Sequence, residues 1–235
     1  MEQELDLVRK NGFEIRNMVN PSLEVMEEAV KKTPTSIKYM ENPPTHIMQL
    51  AVMAGWNSLK FIKEPTDDVL FKAVENKGWA IQYIKNPSID LQLKAVERDY
   101  DALQYIKDPS CEVQVRAVEN YWSALKYVEN PCFEAKLQAI EKSDQAITYV
   151  GDVTDEELTK DLFVNSKIVK YVYDSLEMDL LMDVLKEKMG QEEVSESYLK
   201  DFMELQILDI NKVNFVRDHG SKNAKKALMN YVLSR

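Results

Sequence analysis

Two histidines, two cysteines and 40 carboxylates are what this 235-residue chain offers for acid–base, nucleophilic or metal chemistry. His46 and His219 stand far apart, and neither is accompanied by a second histidine or a Cys-x-x-Cys pair, so ligand spacing for zinc is missing. Cys111 and Cys132 begin adjacent repeat helices and could approach each other. Without a flanking histidine they read as ordinary thiols. The six glycines are dispersed, so no loop is built to cradle a phosphate. Carboxylates are so numerous that any chosen pair carries no information. The expectation is a non-enzyme with no catalytic residue, no metal and no cofactor.

Residues suited to binding are more regular. Large aromatics recur near one place in the chain's repeat: Phe13, Trp56, Trp79, Tyr100, Tyr121 and Trp122. Exposed Trp and Tyr anchor interfaces because they bury much area at small entropic cost. Two readings stay open: a protein-binding edge built on Trp56, Trp79, Tyr100 and Trp122, or rings that tuck over their neighbours and seal each hairpin. A lysine ladder, Lys63, Lys85 and Lys107, runs beside Lys60 and Lys126. Projecting from a second helix, it would attract an acidic protein or a single strand of nucleic acid. Glu41 and Glu129 interrupt it at both ends, which equally suits a solubilising stripe.

Both sets are positioned by a 22-residue repeat. Pro21, Pro43, Pro65, Pro87, Pro109 and Pro131 are equally spaced, and the residues between them keep register. Counting from each proline, position eight is always alanine (Ala29, Ala51, Ala73, Ala95, Ala117, Ala139), and position nine is valine or Ile140. Position sixteen is isoleucine or leucine, and position eighteen is aromatic throughout, from Tyr39 to Tyr149. Ser22, Thr66, Ser88 and Ser110 follow the proline as N-caps, with acids in the next turn where the helix dipole favours them. Each unit therefore predicts a first helix burying positions four, eight and nine, then a break. A second helix of about two turns, partly 3₁₀, follows and buries sixteen, eighteen and nineteen. The pre-proline residues Asn20, Asn42, Asn86, Asp108 and Asn130 are expected to end it, because proline pushes its predecessor out of the α region. Lys72/Glu75, Lys94/Glu97 and Arg116/Glu119 are read as i,i+3 pairs within the first helices.

One such hairpin cannot cover its own apolar face, whereas stacked copies can. The fold class expected is all-α: a superhelical solenoid of short helical hairpins over residues 5–174, with a helical C-terminal cap over 175–235. The array starts near residue 5, and 153–174 is a decayed unit keeping Leu162, Val169 and Tyr171 but not the proline or the alanine. In the cap, helical patterns run through Leu176–Leu185, Tyr198–Ile207 and Ala224–Val232, punctuated by Gly190 and Gly220. Residues 152–209 hold 16 acids and 6 bases, whereas 210–235 hold 6 bases and 1 acid.

Composition bounds the function. The chain is 45% apolar, too much for wholesale disorder, and carries −10 with lysine outnumbering arginine 24 to 6. That balance argues against direct nucleic-acid binding. No apolar run could span a bilayer, and the charged start MEQELDLVRK does not read as a signal peptide. Two cysteines fit a reducing compartment, so a cytoplasmic location is expected.

The unit NPSIDLQLKAVERDYDALQYIK resembles the short HEAT-like and leucine-rich-variant α-solenoid repeats, as found in repeat proteins of tailed phages and AT-rich bacteria. The likeness covers residues 5–174. It departs from leucine-rich-variant repeats in its 22-residue period, and no cysteine cluster for an iron–sulfur site precedes it. The resemblance implies protein binding without transferable catalytic residues, in its sharpest form a phage-encoded adaptor or inhibitor of a host protein. Two other functions stand beside it: an acidic nucleic-acid mimic or binder of nucleic-acid machinery, built on the row Glu75, Glu97, Glu119 and Glu141, and an enzyme with its site in 175–235.

Overall fold

A computed structural model describes residues 2–234, and among these the protein is entirely helical, with no strand. No helix is long and apolar enough to cross a membrane. The chain divides into two compact units, Met1–Val128 and Glu129–Arg235.

The first unit alternates α- and 3₁₀-helices. The α-helices are α1 (Glu2–Lys10), α2 (Leu23–Lys32), α3 (Thr45–Ala54), α4 (Asp67–Asn76), α5 (Ile89–Arg98) and α6 (Cys111–Asn120). Each is followed by a six-residue 3₁₀-helix: Gly12–Asn17, Pro34–Tyr39, Trp56–Phe61, Gly78–Tyr83, Tyr100–Tyr105 and Trp122–Tyr127. Successive α-helices pack on one another, and so do successive 3₁₀-helices, giving two parallel rows. The start signals work as expected at three of the four places: the hydroxyls of Ser22, Ser88 and Ser110 accept from the backbone N–H three residues on, whereas Thr66 stands at the N-cap of α4 without such a bond. Positions four, eight and nine are buried from α2 onward; Val25, Ala29 and Val30 are wholly inaccessible. The alanines matter because the next repeat's backbone comes close at that layer. A Cβ on Gly78 would lie 2.3 Å from the Ala95 carbonyl oxygen.

Between the two helices, position twelve is extended, with φ from −143° at Thr33 to −163° at Gly55. Its N–H still closes the last α turn, as in Thr33 N to Ala29 O at 2.8 Å. The repeats are also stitched through backbone carbonyls that a helix C-terminus leaves open. Asn76 Nδ2 donates to Val52 O and Met53 O at 2.7 and 2.9 Å. Asn120 Nδ2 does the same to Val96 O and Glu97 O, 3.0 and 3.1 Å away.

Four expectations need correction here. The second helix is 3₁₀ throughout, longer than the usual run of about three or four residues, because a parallel row of identical helices supports it. It ends at position eighteen rather than at the pre-proline residue, and Asn20, Asn42, Asn86 and Asp108 instead take left-handed φ values of 53°, 50°, 49° and 49°. Asn and Asp tolerate that region best among residues with a Cβ, which explains their recurrence before proline. Position eighteen is not core: Tyr39, Phe61 and Tyr105 stay about two-fifths exposed. In a 3₁₀-helix residues three apart eclipse, so eighteen lies in line with fifteen. The small Ser or Ala at fifteen is fully buried, as at Ser36, Ser58 and Ala80, whereas the large ring at eighteen extends along the flank. Finally, cross-repeat ion pairs replace part of the expected i,i+3 set. Lys94 reaches back to Glu75 at 3.7 Å, and Arg116 pairs with Glu97 as well as with its own Glu119.

The second unit opens with one more regular repeat, α7 (Phe133–Lys142) and the 3₁₀-helix Asp144–Tyr149. α8 (Asp155–Val164) keeps the register, and a 3₁₀ turn begins on time at Ser166 but gives way after Ile168 to the short α9 (Val169–Val172). Beyond it lie α10 (Met178–Gly190), α11 (Glu196–Glu204), α12 (Lys212–His219) and α13 (Lys222–Leu233). α10 packs on α8, and α13 on α11 and α12. α12 was not anticipated, since it buries only the adjacent Phe215 and Val216 and shows no helical period.

Candidate interaction edge

The row of 3₁₀-helices in the first unit collects the aromatic residues on one edge. A ring near the start of one 3₁₀-helix packs on the position-eighteen ring of the next repeat. Phe13 meets Tyr39 edge-on at 6.0 Å, Trp56 stacks on Tyr83 at 5.9 Å, and Trp79 meets Tyr105 at 6.0 Å. Tyr100 packs against Tyr121 at 4.9 Å, and Tyr121 against Trp122 at 6.0 Å. Trp79 is fixed further: its indole N–H donates to Asp101 at 2.7 Å, and Lys77 sits over its ring. Lys77 in turn pairs with Asp99, which also accepts from Gly78 N.

The four expected aromatics thus lie on one edge, each half-buried. Trp56, Trp79 and Tyr100 contact the next repeat, Trp122 packs on Tyr121, and all four still present ring surface, so sealing and presentation are combined in the same side chains. The sequence reading missed the other half of this surface, the position-eighteen aromatics. A signal was present: that position is aromatic in every repeat, whereas true core positions exchange freely among aliphatics. A ring with a polar tip suits a boundary, not an interior.

The lysine ladder sits elsewhere than expected. Lys63, Lys85 and Lys107 lie two residues beyond the ends of their 3₁₀-helices, in the bends before the prolines, and all three are exposed. They flank the aromatic edge rather than project from the second helix. Lys38 contributes a different cationic feature: its ammonium lies 5.0, 4.8 and 5.6 Å from the rings of Phe13, Tyr39 and Phe61, joining three successive repeats. Beside it a groove of about 640 Å³ opens, lined among others by Tyr39, Met48, Phe61 and Lys63.

The remaining chemical candidates resolve differently. His46 is half-exposed, 3.7 Å from Glu27. His219 ends α12 with its ring 5.0 Å from that of Phe215. Cys111 and Cys132 are not the ordinary thiols expected: both are disulfide-bonded. An oxidised cysteine is neither a nucleophile nor a ligand, and the argument from cysteine count to a reducing compartment loses its footing. In the second unit, Lys188 lies over Phe163 and Tyr198 at 4.4 and 5.2 Å, and burial pushes its ammonium pKa down. The buried Tyr198 hydroxyl donates to Leu162 O at 2.8 Å, and burial pushes its own pKa up. These contacts tie α8, α10 and α11 together.

No protein-family model, no curated protein and no solved structure matches the chain.

Proposed function

We propose that this chain is a non-catalytic protein-binding module that works through the aromatic edge of its first unit. The observation that supports it is a series of ring pairs along the edge, carried across the step from Tyr39 to Phe61 by Lys38, that remain partly open to solvent; Tyr121, at its end, is 47% exposed. Cross-repeat packing holds the rings in place before any partner arrives, so the ordering cost on binding is small. Trp56, Trp79, Tyr100 and Trp122 supply the anchoring area, joined by Tyr39, Phe61, Tyr83 and Tyr105. Lys63, Lys85 and Lys107 bias the edge toward a partner with acidic groups. The narrower form, a phage-encoded adaptor or inhibitor of a host protein, rests on the repeat resemblance alone.

Affinity capture from extract, followed by mass spectrometry, identifies the partner. Replacing Trp56, Trp79 and Trp122 by alanine should then abolish capture while the helical circular dichroism remains. Unfolding of that variant would assign the rings to sealing instead. Lys63, Lys85 and Lys107 to Glu disturbs no packing and should weaken capture as added salt does; salt-independent capture would remove the lysines from the mechanism.

The nucleic-acid-mimic alternative has an observation against it. Glu75 and Glu97 of the proposed anionic row are matched by Lys94 and Arg116 of the following repeats, and Glu119 by Arg116. A row in which two bases offset part of the charge imitates an unbroken phosphate backbone poorly.

A further inference from the structure

We infer that the notch between α12 and α13 is a docking site for an acidic amphipathic helix of a partner protein, a surface separate from the aromatic edge and argued independently of it. α13 buries Ala224, Ala227 and Leu228 against its neighbours, which accounts for one face. Its other face is also apolar: Met229, Val232 and Leu233 are 64%, 53% and 79% exposed. These three are spaced i, i+3, i+4, forming a stripe one helix wide. Val213 on α12 faces the same notch, also exposed, and the space between has a volume of about 400 Å³.

The rim identifies the occupant. Arg217 and Lys225 border the notch, and residues 210–235 hold six bases against one acid. A helix laying apolar residues into the notch and carboxylates along its flanks would satisfy both features at once. The notch lies between Val213 and Arg217 on α12 and Lys225, Leu228, Met229, Val232 and Leu233 on α13, so a docked helix would run along it. A folded second copy is a poor occupant despite its acidic segment. Its acidic helices α8, α10 and α11 already bury their apolar faces through Leu162, Leu181, Leu185 and Phe202.

The test is selection from a displayed library of amphipathic sequences of about 16 residues, long enough to form a helix once docked. The full chain and its Met229→Glu/Val232→Glu variant are panned in parallel. Both positions are exposed, and circular dichroism checks that the variant keeps its fold. Enriched sequences should combine net negative charge with apolar residues at i, i+3, i+4 and i+7. Synthetic versions should bind the variant at least about ten-fold more weakly, a loss of about 1.4 kcal/mol. Lys225→Glu should weaken them as well. The inference falls if enrichment is equal on the variant, or if selected sequences are basic or lack the helical period. It falls equally if the variant abolishes binding to phosphatidylserine-containing vesicles, or self-association in sedimentation velocity, while no acidic peptide is selected.

Discussion

Asp161 should be a liability at neutral pH, and replacing it should stabilise the second unit. It occupies position eight of its repeat, the slot that holds a fully buried alanine in the six proline-led repeats. Its side chain is just as buried, at 1% exposure, and Oδ1 has no hydrogen-bond partner. Burial, reinforced by Glu157 and opposed by Lys136, pushes its carboxyl up from 3.8 to about 6. The folded state therefore holds this proton more tightly than the unfolded chain does. The cost is absent below about pH 4, grows as pH rises toward the folded value, and is full above it. Two pK units correspond to about 3 kcal/mol, and water reaching the partly exposed Lys136–Glu157 pair reduces this to about 2. Asp161→Ala restores the repeat residue and should recover that amount at pH 7.5. Asp161→Asn keeps the shape but buries an amide, so it should recover about 1 kcal/mol less. Asp144 beside Lys170 and Glu157 at its N-cap are shifted downward, and their stabilisation is lost only at lower pH. The difference between wild type and variant thus isolates Asp161. Hydrogen exchange of α8 in urea reads the effect directly. Tryptophan fluorescence is an internal control, since all three tryptophans lie in the first unit. A variant no more stable than wild type at pH 7.5, or a gain constant from about pH 4 to 7.5, would refute this account.

Other perturbations test the repeat itself. Gly78→Ala puts a Cβ 2.3 Å from a backbone oxygen of the next repeat and should lower stability by about 1–3 kcal/mol in urea unfolding; neutrality would mean the repeats slide freely. Asn76→Ala strips both hydrogen bonds from the α3 carbonyls and should cost about 1–2 kcal/mol, with faster exchange at the ends of α3 and α4. Native protein should show no titratable thiol until reductant is added, and reaction of both cysteines without reductant would contradict their disulfide state.

The α-helices, their caps and their buried alanine and valine faces were legible in the repeat, because six copies sample the same local burial and agree. The candidate edge was half legible: Trp56, Trp79, Tyr100 and Trp122 stood out by type, but their tyrosine partners looked like core. Tertiary structure alone decided that half, together with the sustained 3₁₀ geometry, the link position of the lysines and the state of the cysteines. A 22-residue period says that neighbours are equivalent without saying how closely they approach. Lys94 stands three residues before Glu97 and 19 after Glu75, and nothing in one dimension ranks those partners. Nor does an aspartate in an alanine slot announce its burial, since acids are normally solvated. Packing from both sides imposes it, and that is a property of the assembled unit.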